Sequence, residues 1–150
     1  MVKPGRRHRW FYPHSLSIIC GGILILWICL YTVSNPATHL GSFFGNAIAD
    51  WSGVVVMLLA TKYLYETGSA ESRRLPKTRL RPALEACRDH SLSIFLIVTG
   101  IGWVVLFAHM GTESRWGQVV GNIVSEWTQI FGVVLFTKRF IERRSKESTR

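Results

Sequence analysis

The second half of the chain repeats the first without a gap, at an offset of 76 residues. His14-Ser15-Leu16-Ser17-Ile18 returns as His90-Ser91-Leu92-Ser93-Ile94, Trp27 as Trp103, and Gly41 as Gly117. Gly45-Asn46 returns as Gly121-Asn122, Trp51 as Trp127, Thr61-Lys62 as Thr137-Lys138, and Glu66 as Glu142. Of the 53 positions 14–66, 16 are identical in the two copies. Apolar composition explains matched Leu and Ile, but not His, Asn, Lys, Glu and two Trp in register. An internal repeat decides architecture before any local signal does. Each unit holds two long apolar runs, so the chain reads as all-α: a polytopic membrane protein of four transmembrane helices in two tandem hairpins.

Run lengths support this. Segments 16–33 and 91–110 hold no acidic or basic residue apart from His109. At about 1.5 Å per residue, runs of this length cross a hydrocarbon core of roughly 30 Å. Segments 43–65 and 119–141 are long enough too, although each carries one carboxylate and one lysine. The basic leader (Lys3, Arg6, Arg7, Arg9) raises the question of a cleaved signal peptide. No small-x-small site follows Val33, however, and the equivalent run at 91–110 stands mid-chain. A retained start-transfer helix is expected.

Charge sets the expected orientation. The chain is 48% hydrophobic yet carries a net charge of +9, and the two properties are segregated. Seventeen of the 18 Lys and Arg fall in the leader, the central loop, the C-terminal end, or at Lys62 on the same edge; only Arg115 lies on the other side. Basic residues resist translocation, which places both termini in the cytoplasm. The expected organisation is a basic arm 1–13 ending in Trp10-Phe11-Tyr12-Pro13, a first hairpin 14–66 and a basic loop 67–89. A second hairpin 90–142 and a tail 143–150 follow. Within the loop, 81–88 is expected to form a short interfacial helix. An even number of spans separates the copies, so both run the same way. A pseudo-two-fold axis along the membrane normal should relate them, as in parallel repeats.

The stretch Gly68-Ser69-Ala70-Glu71-Ser72-Arg73, after the span containing Asp50-Trp51, carries a resemblance. It resembles a group of small uncharacterised bacterial four-helix membrane proteins with a Gly-Ser-x-Glu-Ser-Arg/Lys stretch after a tryptophan-acid span. The resemblance implies a bacterial inner (plasma) membrane and carries no activity with it. The second copy departs from the motif, reading Arg144-Ser145-Lys146-Glu147-Ser148.

Both copies keep a polar group inside the second span. Asn46-x-x-x-Asp50-Trp51 returns as Asn122-x-x-x-Glu126-Trp127, and Gly53 and Gln129 continue the same face. Spacing of four puts each amide beside its carboxylate on one helical face. With helices starting near 43 and 119, the acids would lie roughly 10 Å below the outer edge. A lipid-facing carboxylate there is costly, so Asp50 and Glu126 are expected to face the bundle interior, each near its own amide. Asn46, Asp50, Asn122, Glu126 and Gln129 form the candidate intramembrane site, for protons or cations. The plainer alternatives are an amide–acid pair that locks packing, or acids shallow enough to stay wet.

The remaining repeated residues have quieter readings. Gly41-x-x-x-Gly45 and Gly117-x-x-x-Gly121 suit close helix packing, with Gly21-Gly22 and Gly100-x-Gly102 as surfaces that would receive it. Shaping of the loop entering the span is the alternative. Trp51, Trp127, Lys62 and Lys138 are expected as interfacial anchors, and Lys62–Glu66 and Lys138–Glu142 have the spacing to pair. His14-Ser15 and His90-Ser91 read as helix starts capped by serine; two histidines across the axis holding haem or a metal is the sharper and weaker reading. Cys20, Cys29 and Cys87 make no metal spacing, so no metal and no cofactor is expected.

No phosphate-cradling glycine loop, His-Glu-x-x-His run or nucleophile–base pair stands in a soluble segment, and an enzyme is not expected. The leading expectation is a non-catalytic inner-membrane protein with an accessory or structural role. Its partners are the bilayer, anionic headgroups on the basic face, and a possible homo-oligomer. The alternatives are a small proton or cation pathway through Asp50 and Glu126, and tethering of anionic lipid or DNA by the basic face.

Overall fold

Long apolar runs become long helices even across β-branched stretches such as Val54-Val55-Val56, and Asn35-Pro36 ends the first. The computed structural model describes residues 6–72, 81–111 and 114–140. Five helices form: α1 (Arg6–Val33), α2 (His39–Tyr63), α3 (Pro82–Asp89), α4 (Ser91–His109) and α5 (Arg115–Phe136). Four stretches are long and apolar enough to cross a membrane: His14–Val33 within α1, and the whole of α2, α4 and α5. The short α3 matches the helix expected in the central loop. The tail 143–150 and Glu142 lie outside the described residues.

The four long helices pack in sequence α1–α2–α5–α4, a row rather than a closed ring. Burial follows that order. One third of the apolar window is buried in each of α2 and α5 (33%), against 11% in α1 and 17% in α4. The more polar pair therefore sits in the middle, and the more apolar helices flank it. The core runs through Tyr31, Ile48, Leu92, Leu96, Val119, Ile123, Trp127 and Val134. Trp27 stacks on Phe44 and meets Phe43 edge-on, whereas Trp103 meets Trp127 edge-on.

The two turns between paired spans are built alike. Thr38 caps α2 by accepting a hydrogen bond from the Gly41 N–H (3.1 Å), and Ser114 caps α5 by accepting one from the Gly117 N–H (2.9 Å). Each cap satisfies one of the unpaired donors of a first helical turn. A side chain at Gly41 would strike the Asn35 carbonyl, and one at Gly117 would fall 2.6 Å from the Gly111 carbonyl oxygen. These two glycines shape the turn, so helix packing is the wrong role for them. Gly45 and Gly121 do pack: Tyr31 of α1 lies over Gly45 and Phe107 of α4 over Gly121. The expected receiving surfaces are not used in this way. Nothing lies within 4 Å of a Cβ built at Gly21, Gly22 or Gly102, and Gly100 meets Trp127 instead.

Three boundaries differ from expectation. The basic arm is helical from Arg6 and continuous with the first span, so Ser15 lies inside α1 rather than at its start. His90, not Ser91, holds the N-cap position of α4 and makes no side-chain capping bond there. Both α2 and α5 start four residues earlier than the apolar runs at 43 and 119, because Thr38 and Ser114 nucleate them. At this turn end Arg115 donates to the carbonyls of Thr32 (2.9 Å) and Ser34, and the Tyr31 hydroxyl donates to the Arg115 carbonyl (2.6 Å). The start of α5 is thereby tied to the end of α1.

Candidate functional site

Helical spacing puts Ser42, Asn46, Asp50, Gly53 and Met57 on one face of α2. Their repeat partners Gln118, Asn122, Glu126, Gln129 and Val133 share one face of α5. The packing of α2 on α5 brings the two faces to one seam. Towards the turn end, Ser42, Asn46, Gln118 and Asn122 line a polar concavity with Phe107. Towards the other end, Glu126 and Gln129 line a second one with Met57 and Glu71. Between them Glu126 lies over the bare backbone of Gly53, where an added Cβ would fall 2.7 Å from Oε1. Asp50 is within Coulombic reach of Glu126.

The acids are deeper than the sequence suggested. Asp50 stands 11 residues after His39 and Glu126 11 residues after Arg115, because both helices begin early. At about 1.5 Å per residue that is roughly 16 Å from each helix start, near the middle of each helix.

Their direction also differs from expectation. Asn46, Asp50, Gln118 and Gln129 are exposed on the surface of the chain, and Asn122 and Glu126 are half-buried. Helices in a row leave the α2–α5 seam open, so the expected interior placement of both acids is not what forms. The amide–acid lock is not formed either. Among the described residues, no hydrogen bond or ion pair is made by the side chains of Asn46, Asp50, Asn122, Glu126 or Gln129. The donors on this face are carboxylate and amide oxygens without thiolate or imidazole, a set suited to protons and hard cations.

The tryptophans beside the acids separate. Trp51 is half-buried, but Trp127 is a core residue, 5% exposed, whose Nε1–H donates to Thr99 Oγ1 (2.9 Å). Trp127 is thus packed in the core against mid-helix α4, and not set out on the surface as an interfacial anchor would be.

A second polar cluster stands where α2 ends, and sequence reasoning missed its pairing. Leu64 is extended, so Glu66 leaves the helix and docks on the start of α4. The Leu92 N–H donates to the Tyr65 carbonyl (2.9 Å), and the Thr67 N–H to the Asp89 carbonyl (2.8 Å). The Glu66 carboxylate, with no exposed surface, accepts the Ser93 N–H (3.1 Å) and thus caps α4 from another element. It also lies 2.7 Å from His90 Nδ1 and forms an ion pair with Lys138 beyond α5. Burial pushes this carboxyl up, but Lys138, Ser93 and His90 together outweigh it and hold it below the usual glutamate value. The expected Lys62–Glu66 pair fails because the helix stops between them; Lys62 donates to Ser17 Oγ (2.9 Å) instead. The signal was present in the repeat, which keeps His, Lys and Glu at the same end of both copies.

No family model matches the chain, and no curated protein or solved structure is similar enough to it to carry an inference.

Proposed function

We propose that the chain is a small proton or cation pathway, with Asp50 and Glu126 as its ion-holding groups and Asn46, Asn122, Gln118 and Gln129 as the polar lining on either side. One observation carries this reading. Two carboxylates at equal helical depth, near mid-span, lie along a seam lined by repeat-equivalent amides, and none of these groups is consumed by packing. Ionisable groups at that depth are expensive and mark ion routes when no structural partner holds them. An accessory role resting on an amide–acid lock loses its support, since the lock is not made. The expected setting is a bacterial inner membrane with both termini and loop 67–89 on the cytoplasmic side. The two hairpins would run the same way across the membrane, as parallel tandem copies.

Flux into proteoliposomes tests the reading, with a pH-sensitive dye for protons and a potassium or sodium gradient for cations. Flux above protein-free vesicles is expected, and Asp50→Asn with Glu126→Gln should abolish it in protein that still elutes folded. Background flux in the unaltered chain, or equal flux in the double variant, would overturn it.

A further inference from the structure

We propose that the open side of the α2–α5 seam is covered by the same seam of a second copy, in a parallel homodimer whose two-fold axis follows the membrane normal. The inference rests on the seam being the functional site, but assembly and conduction are separate readouts.

The argument starts from cost. A carboxylate at the centre of a span costs about 2.5–3.5 kcal/mol on the permissive insertion scale, and amides facing hydrocarbon add to it. Asp50, Asn46, Gln118 and Gln129 are all on the chain's own surface. Lipid tails offer them nothing, so a polar surface of matching depth must.

Three observations commit the cover to a second copy. First, the exposed groups are mostly amides, and every amide is both donor and acceptor. A row of Asn and Gln is complementary to itself, whereas a purely acidic partner would leave each amide oxygen unpaired and an apolar partner would leave the whole amide unpaired. Second, both lips of the seam carry amides at the same helical level, Asn46 and Asn122, so one seam offers a second seam donors and acceptors at matching depth. An isologous dimer requires such a self-complementary face. Third, the one-sided Lys and Arg distribution turns every copy the same way up. Equivalent residues then meet at equal depth only about an axis along the membrane normal.

The dimer would set two Asp50 and two Glu126 side chains around one axis, with Asn46 and Asn122 about one helical turn nearer the turn end. Rings of carboxylates are how cation pores concentrate their ion. Four ionised acids this close repel unless a cation or proton sits among them. The monomer has half of such a ring, so the site is incomplete without the second copy.

The test uses the full chain with Cys20, Cys29 and Cys87 replaced by serine, in native membranes. Single cysteines enter at Asn46 and Gln129 on the seam, and at Ile25 and Ile101, which are 63% and 59% exposed on the flanking helices. Oxidation should cross-link Asn46→Cys and Gln129→Cys into dimers and leave Ile25→Cys and Ile101→Cys monomeric. The otherwise unaltered chain, dye-labelled at its N-terminus and diluted in lipid, should bleach in two steps. Single-step bleaching, or cross-linking from the flanking positions alone, would overturn the dimer. Flux from a one-step species would remove the dimer and leave the pathway standing; a seam-linked dimer without flux would do the reverse.

Discussion

At the scale of single residues, Glu66 shows how one side chain holds elements that lie far apart in sequence. Its carboxylate caps α4 and meets Lys138 and His90 with no exposed surface of its own. Removing one partner of a buried ion pair leaves the others uncompensated. Lys138 and His90 keep some access to water, 27% and 50% of their side chains. Glu66→Ala should therefore cost about 2–3 kcal/mol, at or below the lower end of the buried-pair range, read as a lower midpoint of thermal unfolding in detergent. The pH dependence has a definite sign. The folded carboxyl is held below its unfolded value, so its stabilisation is complete above an ordinary glutamate pKa of about 4.3. It is lost as pH falls through the lower folded value. Acidification from pH 6 towards pH 3 should lower the midpoint more in the unaltered chain than in Glu66→Gln; parallel acid profiles would refute the assignment. The residue types of this cluster were legible in the repeat. Their pairing was not, because it depends on α2 stopping at Tyr63, and no Gly or Pro marks that stop.

At the scale of elements, the number and order of spans were legible because hydrophobic length is a property of composition. The starts of α2 and α5 were not. Polar His39 and Arg115 sit inside those helices, admitted by the caps at Thr38 and Ser114. The four-residue error mattered, since it moved the acids from near the start of each helix to its middle. Helix contact also separates two glycines that look equivalent in sequence. A methyl at Gly45 would stand 3.1 Å from Tyr31, and one at Gly121 2.9 Å from Phe107. The tighter gap is the more forgiving. Phe107 is 40% exposed and free to swing, whereas Tyr31 is 1% exposed and fastened by its hydroxyl to Arg115. Alanine gains about 1 kcal/mol over glycine in a helix interior, and overpacking costs about 1–3 kcal/mol where neighbours do not yield. Gly121→Ala should be neutral or slightly stabilising, and Gly45→Ala should destabilise by about 1–2 kcal/mol. Equal unfolding midpoints for the two variants would show that Tyr31 is not fixed as its contacts imply.

At the scale of the whole molecule, the repeat announced two hairpins but not how they meet. A closed ring and an open row share the same spans, and helix periodicity does not distinguish a face that looks inward from one awaiting a partner. The row is what exposes Asp50 and leaves the seam open, so the direction of the candidate site was the part the sequence could not supply. Orientation rests on a different physics, the cost of moving Lys and Arg across a membrane, and one residue runs against it. Arg115 lies at the turn end, whereas the sequence pattern assigns the other 17 basic residues to the opposite side. Its guanidinium donates to the carbonyls of Thr32 and Ser34 and lies 5.4 Å from the Tyr31 ring centroid. Arg115 is therefore held by the fold at that end, and a single basic residue is a small counterweight to 17. In a chain whose three native cysteines are replaced, Gly111→Cys should react with an impermeant maleimide added outside intact cells. Leu84→Cys, 57% exposed on α3, should react only after permeabilisation. Arg115→Gln should leave that labelling pattern unchanged while lowering the unfolding midpoint, since it removes the ties to α1 without altering the charge bias that sets direction. Labelling of Leu84→Cys from outside would reverse the proposed orientation, and a flipped pattern in Arg115→Gln would mean that this one arginine, not the 17, decides it.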